Sequence, residues 1–324
     1  MSRKTLGLFI GLFSAVVGLT LLRDIVKGSP LMILGVSSVL SIIISLISIY
    51  ITNKKRNHLL VNDSKLLDSS LISRDRAMKI NRMAYNIAKQ ANIKIPQISV
   101  FESDHHVAYS YQLLPQYSYI KLSHSLINTY SEKSLSGIIS HEISHIKNRD
   151  SWKSVLRFVN WVFVLSVGFF FLQKSTAFLI PIIAYYELNK MREKEYESDA
   201  HAVIYSSLDD VLNCLMDSYY IQEQNRNEII KKYEQESKFR DKIKKFYELA
   251  NYDFQILIFN YLGTHPNWQK RIRHCLVAHN VELTTTEFER LLKKFLLFRQ
   301  SYGMKRSIDW DKMGLLAQKI INNK

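Results

Sequence analysis

The segment His141-Glu142-Ile143-Ser144-His145 sets two imidazoles four residues apart. At 3.6 residues per turn, both face the same side of a helix. Two imidazoles one turn apart can share a divalent cation, and the glutamate after the first then projects beside that cation rather than onto it. A carboxylate so placed can take a proton from water, so the chemistry on offer is metal-assisted hydrolysis. A catalytic zinc wants three protein ligands and one open position, and the third ligand must come from elsewhere in the chain. The run Arg192-Glu193-Lys194-Glu195-Tyr196-Glu197-Ser198-Asp199-Ala200 presents Glu195 and Asp199 on one helical face at i and i+4. One of them can bind metal while the other hydrogen-bonds a ligating histidine. Alone, the same run also reads as a solvated face of alternating charge.

These residues need two helices to position them. Ser131 or Thr129 can cap a helix that runs through Leu135, Ile138, Ile139, Ile143 and Ile146 and carries the first motif. A second helix begins near Tyr185 and continues through Glu195 and Asp199 to the region of Ala202 to Tyr205. Upstream, an amphipathic helix is expected from about Ser73 to Ala91, with Met78, Met83, Ala84, Ile87 and Ala91 on one side and Asn92 ending it. The stretches 98–101, 107–111 and 117–122 alternate and are rich in β-branched and aromatic residues around Pro115, which predicts a small antiparallel β-sheet. Beyond Ser218 the chain is charged and helical to about Ala250, and Thr284-x-x-Glu287 has the form of a capping box that starts a further helix. The fold class expected is mainly α.

Composition narrows the setting. With 324 residues and 47% hydrophobic content, the chain can build a sizeable packed domain with apolar length to spare. The net charge of +15 has no nucleic-acid motif beside it, and its Lys and Arg residues cluster next to hydrophobic segments. That pattern favours an anionic membrane face or plain solvation, with no nucleic-acid partner. Cys214 and Cys275 have no metal-binding spacing and suit a reducing compartment.

Residues 5–22 carry no charge, and eighteen residues at 1.5 Å rise give about 27 Å, close to the hydrocarbon thickness of a bilayer. A cleaved signal peptide competes with a spanning helix here. A second uncharged run at 28–53 makes a tight transmembrane hairpin over residues 1–56 the better account. Arg3 and Lys4 before it and Lys54, Lys55 and Arg56 after it orient both ends towards the cytoplasm. Two more apolar stretches, 158–173 and 175–186, read either as spans or as buried helices, the second being broken by Pro181. If His145 and Glu195 share one ion, the chain between them crosses the membrane an even number of times.

Together, H-E-x-x-H, a hydrophobic interval and E-x-x-x-D-A resemble the M48 zinc metallopeptidases, a family of gluzincin type that includes HtpX-like membrane proteases and CaaX prenyl proteases of the Ste24 type. His141 to Asp150 resembles the family's H-E-x-x-H-x-x-x-x-D extension. Thr264-His265-Pro266 with Arg271 resembles its S/T-H-P element followed by an arginine. The two amino-terminal apolar runs resemble the HtpX layout, whereas the last fifty or so residues resemble nothing identifiable.

The resemblance implies one Zn2+ per chain held by His141, His145 and Glu195, with Glu142 as general base and Asp199 as partner to a ligating histidine. It further implies that His265 lies near the substrate carbonyl, while Asp150 and Arg271 are ion-pair members. Val107, Ala108 and Tyr109 occupy the place of the family's substrate-pairing edge strand but lack its asparagine, which pairing through the backbone does not require. His105 and His106, just before it, read as loop residues. The implied activity is hydrolysis of peptide bonds in membrane or misfolded proteins, within a bacterial inner membrane and with the catalytic domain facing the cytoplasm. The implied domains are the hairpin at 1–56, a peptidase domain at 57–282 interrupted by hydrophobic segments 155–188, and a C-terminal helical extension at 283–324. A catalytically silent membrane scaffold and a prenyl-protein processing protease are the rival readings.

Overall fold

The computed structural model describes residues 59–60, 71–114, 117–172, 178–232 and 266–306. The expected amino-terminal hairpin and His265 lie outside the described residues.

Eight helices and four strands are seen among the described residues. In chain order they are β1 (Leu59–Leu60), α1 (Arg74–Gln90), β2 (Gln97–Phe101), β3 (Ala108–Leu114), β4 (Tyr117–Ser123), α2 (His124–Thr129), α3 (Glu132–Lys147), α4 (Asp150–Leu172), α5 (Leu179–Tyr205), α6 (Leu208–Lys232), α7 (Trp268–Ala278) and α8 (Thr285–Tyr302). The protein is therefore mainly helical, as expected.

The sheet is mixed rather than antiparallel. Its order is β1-β2-β4-β3; β3 pairs with β4 as an antiparallel hairpin, but β2 lies parallel to β4. The loop after β2 carries the chain past its neighbour's position, so β3 forms on the outside and β4 returns between β3 and β2. Strand alternation reports which residues face inward, but not which neighbour a strand will take. Ile98, Val100, Ile120 and Leu122 point to one face and join a core with α1 and α3. Burying these β-branched and long aliphatic side chains supplies the driving force for the layer, at about 25 cal/mol per Å² of apolar surface.

Helix α1 starts at Ser73, whose side chain accepts from the Arg76 amide, and ends before Asn92, which adopts the left-handed backbone (φ 52) that asparagine tolerates. Its buried face is Ala77, Ile80, Ala84, Ile87 and Ala88. Met78, expected inside, points outward because the true stripe lies one residue earlier on the helix.

Helices α4 and α5 form an antiparallel pair. Pro181 does not break α5 but sits in its first turn, where a missing amide hydrogen costs nothing. The helix begins six residues before Tyr185 for that reason. Among the described residues no helix is long and apolar enough to cross a membrane, and the transmembrane helices expected for this fold are not seen there.

Helices α6, α7 and α8 share a second core built from Leu212, Leu215, Met216, Ile272, Cys275, Leu276, Phe288, Leu291 and Phe295. Thr284 and Glu287 form the expected capping box of α8. Helix α3 is wedged between the sheet and α6. It meets α6 at Gly137, where an added Cβ would lie 2.3 Å from the Asp210 carbonyl oxygen.

Candidate metal centre

Helix α3 begins at Ser131, whose hydroxyl accepts from the Ser134 amide. Ten residues later the helix presents His141, and one turn on, His145. Helix α5 crosses it and presents Glu195. The structure brings His141, His145 and Glu195 together, with one possible ligand atom from each lying within 4.8 Å of the others.

The geometry of this triangle is specific. His141 Nε2 and His145 Nε2 are 3.1 Å apart. Glu195 places Oε2 3.5 Å from the first and Oε1 3.5 Å from the second. A tetrahedral zinc with bonds of about 2.0–2.1 Å holds its ligand atoms roughly 3.3–3.4 Å apart. The residues therefore fit the ion in spacing, and two imidazoles with a carboxylate fit it in chemistry.

The other side of each ring decides which nitrogen is offered. His141 Nδ1 lies 2.9 Å from Asp199 Oδ1, and His145 Nδ1 lies 2.7 Å from Asp150 Oδ2 and 3.0 Å from Ser198 Oγ. A carboxylate accepts, so each Nδ1 carries the hydrogen, and in the neutral ring each Nε2 turns its lone pair inward. Two lone pairs 3.1 Å apart repel unless a proton or a metal ion occupies the space between them.

The carboxylates are themselves held. Arg271 of α7 donates from Nε to Asp199 Oδ2 at 2.8 Å and from Nη2 to Oδ1 at 2.6 Å, and its Nη1 lies 3.4 Å from Glu195 Oε2. Asp199 is almost fully buried, and this guanidinium keeps its carboxyl below the usual range although burial pushes the other way. Asp150 also meets Lys194 Nζ at 3.3 Å. Burial alone would lower the His141 pKa, but the facing Asp199 and Glu195 outweigh it and raise it to about 10.

Asp150 reaches His145 because of the bend between α3 and α4. Asn148 closes α3 and Arg149 takes the left-handed backbone (φ 55), which turns the first residue of α4 back towards the histidine. Sequence reasoning placed Asp150 in an ion pair without seeing that the pair was with a site histidine. Its position five residues after His145 was the available signal. Ser198 was missed entirely, and nothing in its local pattern distinguishes it.

Glu142 is buried on α3 immediately beside His141. Ala108 and Tyr109 open β3 and pair with Leu122 and Lys121, while Val107 precedes the strand and exchanges hydrogen bonds with Ser123. β3 is an edge of the sheet and packs against α3. His105 and His106 stand in the loop before β3, and His106 packs on the Tyr130 ring rather than joining the triangle.

Comparison with known proteins adds a framework to this geometry. Residues 74–278, more than half of the chain, match the model of Peptidase family M48. A protease HtpX homolog of Pyrococcus furiosus is 29% identical over 84 residues, covering 26% of this chain and 29% of the relative. One of Bacteroides fragilis is 28% identical over 92 residues, covering 27% and 29%. The matched segment thus spans under a third of the length of these relatives. Among solved structures, the crystal structure of S. mikatae Ste24p is similar with a TM-score of 0.47 and 16% identity, over 84% of this chain and 63% of that one.

Proposed function

Because the chain belongs to peptidase family M48, we propose that it is a membrane-associated zinc endopeptidase whose ion is held by His141, His145 and Glu195. The observation that carries this reading is the inward-facing triangle of two Nε2 atoms and one carboxylate at 3.1 and 3.5 Å, with both Nδ1 atoms engaged by aspartates. Bound there, zinc would supply a Lewis acid that polarises a peptide carbonyl and acidifies a water molecule towards neutral pH.

The remaining work falls to the protein's own side chains. Glu142 takes the proton of the attacking water and returns it to the leaving amine. Asp199 and Asp150 fix the tautomer and the plane of the two imidazoles, and Arg271 keeps Asp199 ionised. Substrate enters as an added strand along the edge formed by Val107, Ala108 and Tyr109; Ser123 engages the amide and carbonyl of Val107, so backbone pairing falls to Ala108 and needs no particular side chain. His265 stabilises the developing oxyanion, a role worth roughly 3 to 4 kcal/mol for a single donor elsewhere.

The bilayer is the expected neighbour of the α4–α5 pair. Between residues 158 and 186 the sequence carries one charge, Lys174. Phe178, Ile182 and Tyr185 are exposed, and at the base of the arms Arg157 and Trp161 both donate to the buried Glu187. Such a base supports a boundary there between polar protein and an apolar medium. A protein recovered in the soluble fraction after alkaline extraction of membranes would refute this placement.

The decisive experiment pairs metal analysis with proteolysis of an unfolded protein substrate. Glu142→Gln should retain one zinc per chain and lose cleavage; Glu195→Ala should lose both. Cleavage retained by Glu142→Gln, or zinc retained at full affinity by Glu195→Ala, would overturn the assignment.

A further inference from the structure

Helix α8 lies beyond the segment that matches the family, yet its last turn is linked, through a carboxylate of α6, to the helix that carries both histidines. Arg299 is fully buried, and its Nε lies 2.6 Å from Asp217 Oδ1, itself fully buried on α6. The other oxygen of Asp217 accepts a 2.6 Å hydrogen bond from Ser134 Oγ in the first turn of α3. Ser134 Oγ is 2.8 Å from Ser131 Oγ, the cap of that same helix. Three helices are thus joined through one carboxylate, seven residues before His141.

The far side of the guanidinium is closed as well. Arg299 Nη1 donates to the carbonyls of Gly303 and Arg306, because Gly303 (φ 68) turns the chain back across the end of α8. Phe295 and Phe298 lie beneath the guanidinium.

An ion pair this deep is a poor source of net stability, since the cost of dehydrating two charges rivals their attraction. Apolar residues of similar volume would fill the space as well. What the charged group adds is an anchor: the carboxylate accepts one hydrogen bond, from Ser134, while its other oxygen is held by the Arg299 charge without hydrogen-bond alignment, and the two together favour one register between the helices that carry them. That register matters here because His141 and His145 ride on α3 while Glu195 rides on α5, and α3 takes its seat against α6 at Gly137.

We propose that Arg299 is a positioning residue for the metal centre, acting through Asp217 and Ser134 to set α3 against α6 and hence the two histidines against Glu195. The inference rests on reading those three residues as zinc ligands. It makes α8 part of the catalytic unit.

The test uses the full-length protein with Arg299→Met, Arg299→Lys, Ser134→Ala and the double variant Ser134→Ala/Arg299→Met. Zinc affinity is measured by competition with a chromophoric chelator, and the visible spectrum is recorded after cobalt substitution, both well below each variant's unfolding temperature. Arg299→Met and Ser134→Ala should each weaken zinc binding about tenfold, the low end for partners beyond the ligands themselves, and shift the cobalt bands. Arg299→Lys should recover part of the loss, and the double variant should be no weaker than Arg299→Met. Should Arg299→Met fail to fold, Ser134→Ala decides, since it leaves the ion pair in place. Wild-type zinc affinity and an unmoved cobalt spectrum in Ser134→Ala would overturn the inference, even with a lowered Tm in Arg299→Met. A wild-type protein that binds no metal would overturn the zinc reading itself and this inference with it.

Discussion

Gly137→Ala puts two ordinary expectations in opposition. Alanine is the better helix former, so on propensity alone the change stabilises a helix interior by about 1 kcal/mol. At this position the new Cβ would stand 2.3 Å from the Asp210 carbonyl oxygen, 2.8 Å from its carbon and 2.9 Å from the Cys214 Cβ. Restoring contacts of 3.0 to 3.4 Å requires α3 and α6 to part by roughly 0.7 to 1.1 Å, and two of the three obstructing atoms belong to a helix backbone that cannot swing aside. Overpacking of this kind costs typically 1–3 kcal/mol, and rigid neighbours place it at the upper end. The net effect is a loss of about 2 kcal/mol, or about 4–8 °C in Tm at roughly 2–4 °C per kcal/mol. Thermal unfolding of the metal-free protein, wild type beside variant in the same detergent, measures it directly. A Tm equal to or above wild type would show that α3 and α6 do not meet at Gly137 as described.

Four further outcomes follow from the site and its surroundings. With the His141 pKa raised to about 10, zinc must displace a proton at neutral pH, so apparent zinc affinity should rise about tenfold per unit between pH 6.5 and 8.5; a flat profile in a buffered-zinc titration would sink this. The same raised value stabilises the metal-free fold fully below pH 6.5, and the contribution fades as pH climbs through 10, so metal-free Tm should fall over that range. Asp199→Asn replaces the charged acceptor of His141 by a neutral amide and removes the counter-charge of buried Arg271, which should cut zinc affinity 10–100-fold and cost about 3–5 kcal/mol; chelator competition and denaturant unfolding check the two parts separately. Arg149→Gly relieves a left-handed arginine and should raise Tm, the gain being about 0.5–1 kcal/mol once the flexibility of glycine is counted; a fall would mean that the arginine side chain holds the bend.

What could be read from the chain was local. The pairing of His141 with His145, the Ser131 cap, the α1 boundaries at Ser73 and Asn92 and the capping box at Thr284 all depend on residues within four or five positions of one another. The arrangement of the sheet did not follow in the same way, because β2 and β4 become neighbours only after β3 has been placed outside them. Pro181 misled for a related reason: a proline breaks a helix interior but starts a helix equally well, and only the position of the preceding residues distinguishes the two. The aspartate partners of the histidines lay between these cases. Asp150 follows His145 by five residues, yet its contact depends on one left-handed residue. Arg271 meets Asp199 across seventy-two positions, a contact that no periodicity announces.

The place of β3 at the edge of the described sheet carries a cost of its own. An edge strand is a template for any extended segment that drifts by, including one from a second molecule of the same protein. At high concentration the protein would then tend to stick to itself along that edge. A short, uncleavable extended peptide added during purification would serve as a solubilising cap.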